Sequence, residues 1–246
     1  MTTWVGTSWK MSKTLDQACA YARTLAATDP GRWPDIQPFI IPPATALAAV
    51  SGVLGPHSHI LLGAQNAHWE DSGAWTGEVS VPQVADAGAT LVEIGHSERR
   101  EYFAETDTTV NLKVVATLRH GLTPLVCVGE PAAVFASGAS VDHVRRQVRA
   151  ALAGIDDTSG VLLAYEPIWA IGAGGRPAAP SDIGAVFAAL RAEWGGAVRG
   201  VLFGGSVDPS NARSILGVEG VDGLFVGRAA WDVDGFIGLL DLVADR

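Results

Sequence analysis

No apolar run in the 246 residues reaches the ~18 that a membrane-spanning helix needs. The start, MTTWVGTSWKMSK, has no charged lead-in, long apolar stretch or small-residue cleavage site, so neither membrane insertion nor export is expected and a cytoplasmic protein is the reading. Lys and Arg are scarce, 17 against 26 Asp and Glu, for a net charge of −9. They form no run able to follow a nucleic-acid backbone, which argues against extended nucleic-acid binding but leaves room for a small anion held by local donors. Cysteine is nearly absent. Cys19 and Cys127 sit in otherwise regular segments with no Cys or His at metal-ligand spacing, and both read as reduced core thiols. No linker, charge block or low-complexity tract divides the chain.

What the chain has is apolar side chain, 48% of residues against 17% charged, enough to fill a core. Eight short, nearly continuous apolar runs recur along it: TWVGTSW, QPFIIPP, HILLGAQ, TLVEIG, TPLVCVG, GVLLAYEP, RGVLFGG and DGLFVGR. Such runs suit strands buried on both faces of a parallel sheet. Between them, LDQACAYARTLAA, VNLKVVATLRHG, VDHVRRQVRAALAG and DIGAVFAALRAEWGG read as amphipathic helices. Alternating strands and helices predict a parallel α/β architecture, and eight repeats in this length favour one closed (β/α)8 barrel over residues 1–246, because such barrels run to about 250 residues. Periodicity alone does not exclude an open sheet. PAAVFASGAS, after the fifth run, reads as a longer surface loop.

In such barrels, function gathers in the loops after the strands. The first run ends at Lys10. The fourth ends in EIGHSERR, where Gly95 permits a tight turn and His96 faces the positive end of a helix, which disfavours its cationic form. The sixth ends in AYEP, and Pro167 stops the strand so that Glu166 lies at the rim. IWAIGAGG follows: an apolar hook, Ile168 and Trp169, and then Gly172 to Gly175, rich enough in glycine for a hinged lid. The seventh and eighth runs end in FGGSVDPSN and FVGR, offering backbone N–H groups at Gly205, Ser206 and Gly227 to a phosphate. Singly, each feature has an ordinary explanation in surface ion pairs, hydrogen-bonded core histidines or simple turns. Together, a base, a polarising group, a cation, a lid and an anion cradle fall after different strands at one barrel end.

GAQNAHWEDSGAWTGEVS, IGHSERREYF, AYEPIWAIG and GGSV occur in an order and spacing that resemble triosephosphate isomerase over essentially the whole chain. The resemblance implies a cofactor-free, metal-free enzyme acting on a small phosphorylated sugar. By the triosephosphate isomerase assignment, Glu166 moves a proton beside a carbonyl, neutral His96 polarises that carbonyl, and Lys10 stabilises the enediolate. Glu98 resembles the partner of Lys10, while Gly172, Ser206, Gly227 and the amide of Arg228 are the implied phosphate contacts. The family is typically dimeric, which makes Gln65 to Glu78 a loop reaching into a second copy, with Thr76 at its tip.

Three positions depart from the family pattern. Ser8 stands where Asn is usual, the lid reads AIGAGGRPA where AIGTGKTA is common, and VGR replaces a glycine pair and brings in Arg228. All three fall on expected pocket walls. With GTSWKMSKT and FVGRAAW they are similar to the branch acting on L-erythrulose 1-phosphate, since Ser8 frees space for one more CH2OH and Arg228 adds a cation. The alternative is an ordinary triosephosphate isomerase of glycolysis and gluconeogenesis that converts dihydroxyacetone phosphate to D-glyceraldehyde 3-phosphate. Two further classes stay open: a Schiff-base aldolase, which would need Lys10 uncharged despite Glu98, and a non-catalytic phosphate-binding protein.

Overall fold

The computed structural model describes residues 2–172 and 175–245. The eight apolar runs become eight parallel strands: β1 (Thr3–Ser8), β2 (Ile36–Ile41), β3 (Leu61–Ala64), β4 (Leu91–Ile94), β5 (Thr123–Val128), β6 (Leu162–Tyr165), β7 (Gly200–Phe203) and β8 (Gly223–Val226). Each pairs with the next, and β8 returns to β1 with Trp4 opposite Gly223 and Thr7 opposite Val226, closing the barrel.

Period-2 alternation in a closed sheet sends one set of side chains inward and the other outward, and both are buried. Trp4, Phe39, Leu91, Leu125, Leu162, Leu202 and Phe225 fill the interior, whereas Val5, Ile40, Val92, Val126, Leu163, Val201 and Leu224 join a second core beneath the helices. This double burial is why the strands read as unbroken apolar runs.

The helices are α1 (Leu15–Ala26), α2 (Leu47–Leu54), α3 (Val81–Asp86), α4 (Ser97–Tyr102), α5 (Asp107–Arg119), α6 (Ala132–Ala136), α7 (Ser140–Ala151), α8 (Pro180–Trp194), α9 (Ala212–Leu216) and α10 (Val233–Ala244). Among the described residues, no helix is long and apolar enough to cross a membrane. Two expectations are corrected. PAAVFASGAS is only in part a loop: Pro131 caps α6 (Ala132–Ala136), whose Phe135 packs on Trp169 with ring centroids 4.3 Å apart, so a lid residue supplies an apolar partner for it. Cys127 is a buried thiol, but Cys19 on α1 is only half-buried and lies outside the core.

Candidate active site

All the strand-end residues singled out above lie at the C-terminal mouth of the barrel. Lys10, two residues beyond β1, has φ of +50°, a left-handed conformation uncommon for a residue with a side chain and often found at functional sites. Its Nζ donates to Glu98 Oε1 at 2.6 Å. Gln65 Nε2 donates to the Lys10 carbonyl at 2.8 Å, and Trp231 Nε1 donates to the Ser8 carbonyl at 3.0 Å, so this junction is fixed on both sides.

Gly95 turns β4 into α4 with φ of +77°, and a Cβ there would also meet Val110 at 3.1 Å. The turn is held by a buried polar group. The Gly95 amide donates to Glu105 Oε1 at 3.0 Å, while Glu105 Oε2 accepts from Lys113 at 2.9 Å and from Arg99 at 2.7 Å. His96 caps α4: its Nδ1 accepts from the Glu98 amide at 3.1 Å, which leaves the proton of the neutral ring on Nε2. Burial first, and the Lys10 charge second, push the imidazole down to about 4, so it is neutral near pH 7.

Glu166 follows β6, with its amide still donating to the Val128 carbonyl at 2.7 Å. Only 6% exposed, its carboxylate puts Oε2 3.5 Å from His96 Nε2. The chain beneath must be bare, because a Cβ on Gly204 would lie 2.5 Å from Glu166 Oε1. Burial, then the charge of Glu93, raise Glu166 to about 8.

Two adjoining cavities organise the site. A chamber of about 40 Å³ is lined by Ser8, Lys10, Glu93, His96, Glu166, Gly205 and Gly227 among others. It shares Lys10, Ile171, Gly205 and Gly227 with an outer cavity of about 460 Å³, whose walls include Glu98, Gly172, Ser206 and Arg228. Arg228 is exposed on the rim, where its Nη2 donates to the Gly172 carbonyl at 3.2 Å, and Ser206 Oγ donates to the Ala170 carbonyl at 2.7 Å. Both side chains therefore engage the lid segment. Ala173 and Gly174 of that lid lie outside the described residues. Thr76 is exposed on its loop and lines neither cavity.

Sequence reading missed three groups. Glu93 faces the chamber from β4, the Glu105–Lys113 pair fixes the Gly95 turn, and Glu130 Oε1 accepts from Trp169 Nε1 at 2.8 Å and from the Tyr165 hydroxyl at 3.1 Å at the base of the lid. For Glu93 a signal existed: a carboxylate inside an otherwise apolar run, LVEI.

The sequence model of the triosephosphate isomerase family matches residues 3–243. An L-erythrulose-1-phosphate isomerase of Mycolicibacterium smegmatis is 52% identical over 244 residues, covering 98% of this chain and 93% of that protein. One of Rhizobium etli is 49% identical over 255 residues, covering 99% and 93%. The crystal structure of triosephosphate isomerase from Bartonella henselae superposes with a TM-score of 0.85 at 32% identity over 99% of both chains. By the extent of these matches the chain belongs to the triosephosphate isomerase family.

Proposed function

We propose that this chain, a single (β/α)8 domain, isomerises a small ketose phosphate, converting L-erythrulose 1-phosphate to D-erythrulose 4-phosphate. The observation that carries the chemistry is the meeting of Glu166, His96 and Lys10 around one chamber that opens onto a wider outer cavity of about 460 Å³. The four-carbon substrate is favoured by the names of the relatives at 52% and 49% identity.

In this reading the phosphate lies in the outer cavity among Gly172, Gly205, Ser206, Gly227 and Arg228. Glu166 removes the proton from the hydroxyl-bearing carbon beside the carbonyl, and the electron pair of that C–H bond moves into a carbon–carbon double bond, leaving an enediolate. Lys10, aimed by Glu98, stabilises the negative oxygen, and His96 Nε2–H donates to the same oxygens and passes the proton between them. Glu166 then returns its proton to the other carbon. The oxidation state changes only within the substrate, so no external electron acceptor takes part. A base raised by burial is stronger, and a neutral imidazole polarises without adding net charge.

A second reading, turnover of dihydroxyacetone phosphate, is favoured by the likeness to the Bartonella henselae structure. Steady-state kcat/KM on both substrates distinguishes them: the four-carbon phosphate is expected to be preferred, and a hundredfold advantage for dihydroxyacetone phosphate refutes the proposal. Glu166→Gln should lower kcat by about 10²- to 10⁴-fold while leaving 2-phosphoglycolate bound, whereas a phosphate-binding protein would show no turnover to lose. Lys10 in an ion pair is poorly suited to imine formation, and borohydride with substrate should leave no adduct.

The functional unit is a homodimer in this reading. Met11, Trp75, Tyr102 and Phe103 are all exposed, and Met11 and Phe103 flank a further cavity lined by Ser8, Gln65 and Glu78 that a loop from a second copy can fill. Sedimentation equilibrium tests this.

A further inference from the structure

The reaction as described leaves unused a buried carboxylate that lines the reaction chamber itself. Glu93 is 4% exposed, on the inward face of β4 beyond Leu91, and its Oε2 has no hydrogen-bond partner among the described residues. Among the described residues no cation is paired with it. The cations whose charges reach it, Lys10 and Arg99, are paired with Glu98 and Glu105. The Ser8 hydroxyl hydrogen-bonds this carboxylate, and His96 and Glu166 line the same chamber. Burying an unpaired carboxylate is costly, so its presence asks for a ligand that supplies the missing donor.

The two cavities fix what that donor is. A sugar phosphate held in the outer cavity enters the chamber with its reacting carbons between Glu166, His96 and Lys10, and Ser8 and Glu93 form another part of the chamber wall. A three-carbon substrate ends at the reacting carbon. A four-carbon ketose phosphate continues past it with one CH2OH, away from the phosphate. The chamber holds about 40 Å³, against about 10–15 Å³ for one ordered water, and Ser8 and Glu93 also line the further cavity of about 460 Å³ beside it, into which such a group can extend.

We propose that Glu93, beside Ser8, hydrogen-bonds the terminal hydroxyl of the four-carbon substrate and is the residue that sets chain length. The assignment rests on the four-carbon reading above. Burial holds the Glu93 carboxyl up at about 7, so near neutral pH it accepts from the hydroxyl in one form and donates to it in the other.

The test compares L-erythrulose 1-phosphate with its 4-deoxy analogue, in which CH3 replaces CH2OH, on the intact enzyme. Wild type should favour the hydroxyl-bearing substrate about ten- to hundredfold in kcat/KM, the range expected for one hydrogen bond to a charged group. In Glu93→Leu the ratio should fall to within threefold of unity. Both substrates are read on one preparation, so the ratio is independent of how much variant folds. If that variant yields no active protein, Glu93→Gln carries the same test and should lower the ratio at least threefold. A ratio unchanged by substitution overturns the assignment and leaves Glu93 acting only through Glu166. A wild type that turns over the four-carbon substrate but ignores the hydroxyl overturns it too. A wild type preferring dihydroxyacetone phosphate a hundredfold removes the four-carbon reading and the assignment together.

Discussion

Glu93→Gln removes a buried charge while keeping the side chain's shape, and its effect on folding can be worked from the site. In the native chain, burial raises this carboxyl from an ordinary 4.5 to about 7. Below pH 4.5 the group is protonated whether the chain is folded or not, and wild type and variant differ only by a neutral swap. Between 4.5 and about 7 the unfolded chain gives up the proton that the folded chain keeps, so wild-type stability falls as pH rises, and it levels off above the folded value. At 1.36 kcal/mol per pH unit, that window costs wild type about 3 kcal/mol. Glu93→Gln escapes this loss. Its stability relative to wild type should rise by about 3 kcal/mol between pH 4.5 and 8, or roughly 6–12 °C in Tm for a chain of this size. Urea titrations followed by tryptophan fluorescence, at equal protein concentration in phosphate-free buffer, would measure it. A wild-type-to-variant difference that stays flat across that range would refute the picture of a buried carboxylate without a charged partner.

Other outcomes follow from neighbouring residues. Lys113→Met leaves Glu105 buried against one fewer cation and should cost about 3–5 kcal/mol in urea unfolding, with loss of the Gly95 turn that aims His96. Arg228→Ala, losing an exposed rim contact to the lid carbonyl, should raise KM about tenfold with kcat changed less. In the proposed reaction proton abstraction needs the Glu166 carboxylate, so kcat/KM should climb with pH towards an acid limb near 8; in Glu93→Gln that limb should move down, because a neighbouring negative charge is gone. With His96 neutral above about 4, the imidazole should add no limb of its own between pH 5.5 and 7.

The strands were legible because burial on both faces writes itself as unbroken apolar runs, and α1, α5, α7 and α8 because they are long enough to show a period. Lys10, His96 and Glu166 stood out by their places at strand ends and by the quoted motifs. Short elements were not legible in the same way: α6 depends on Trp169 packing against Phe135, a contact 34 residues away in sequence (169 − 135). Cys19 lies in a regular helix, but which face of that helix is covered depends on how α1 sits against the barrel.

What the chain settles by itself is local: which segments are strands, where they stop, and which chemistry-bearing residues follow each stop. Their convergence is decided only by closure of β8 onto β1, which brings Lys10 beside Glu98 and Glu166 beside His96. The direction of Glu93 is likewise a tertiary fact. Alternation makes every second residue of β4 face one way, but only the register of the closed barrel decides that the carboxylate, and not Val92 or Ile94, faces the chamber at the barrel mouth.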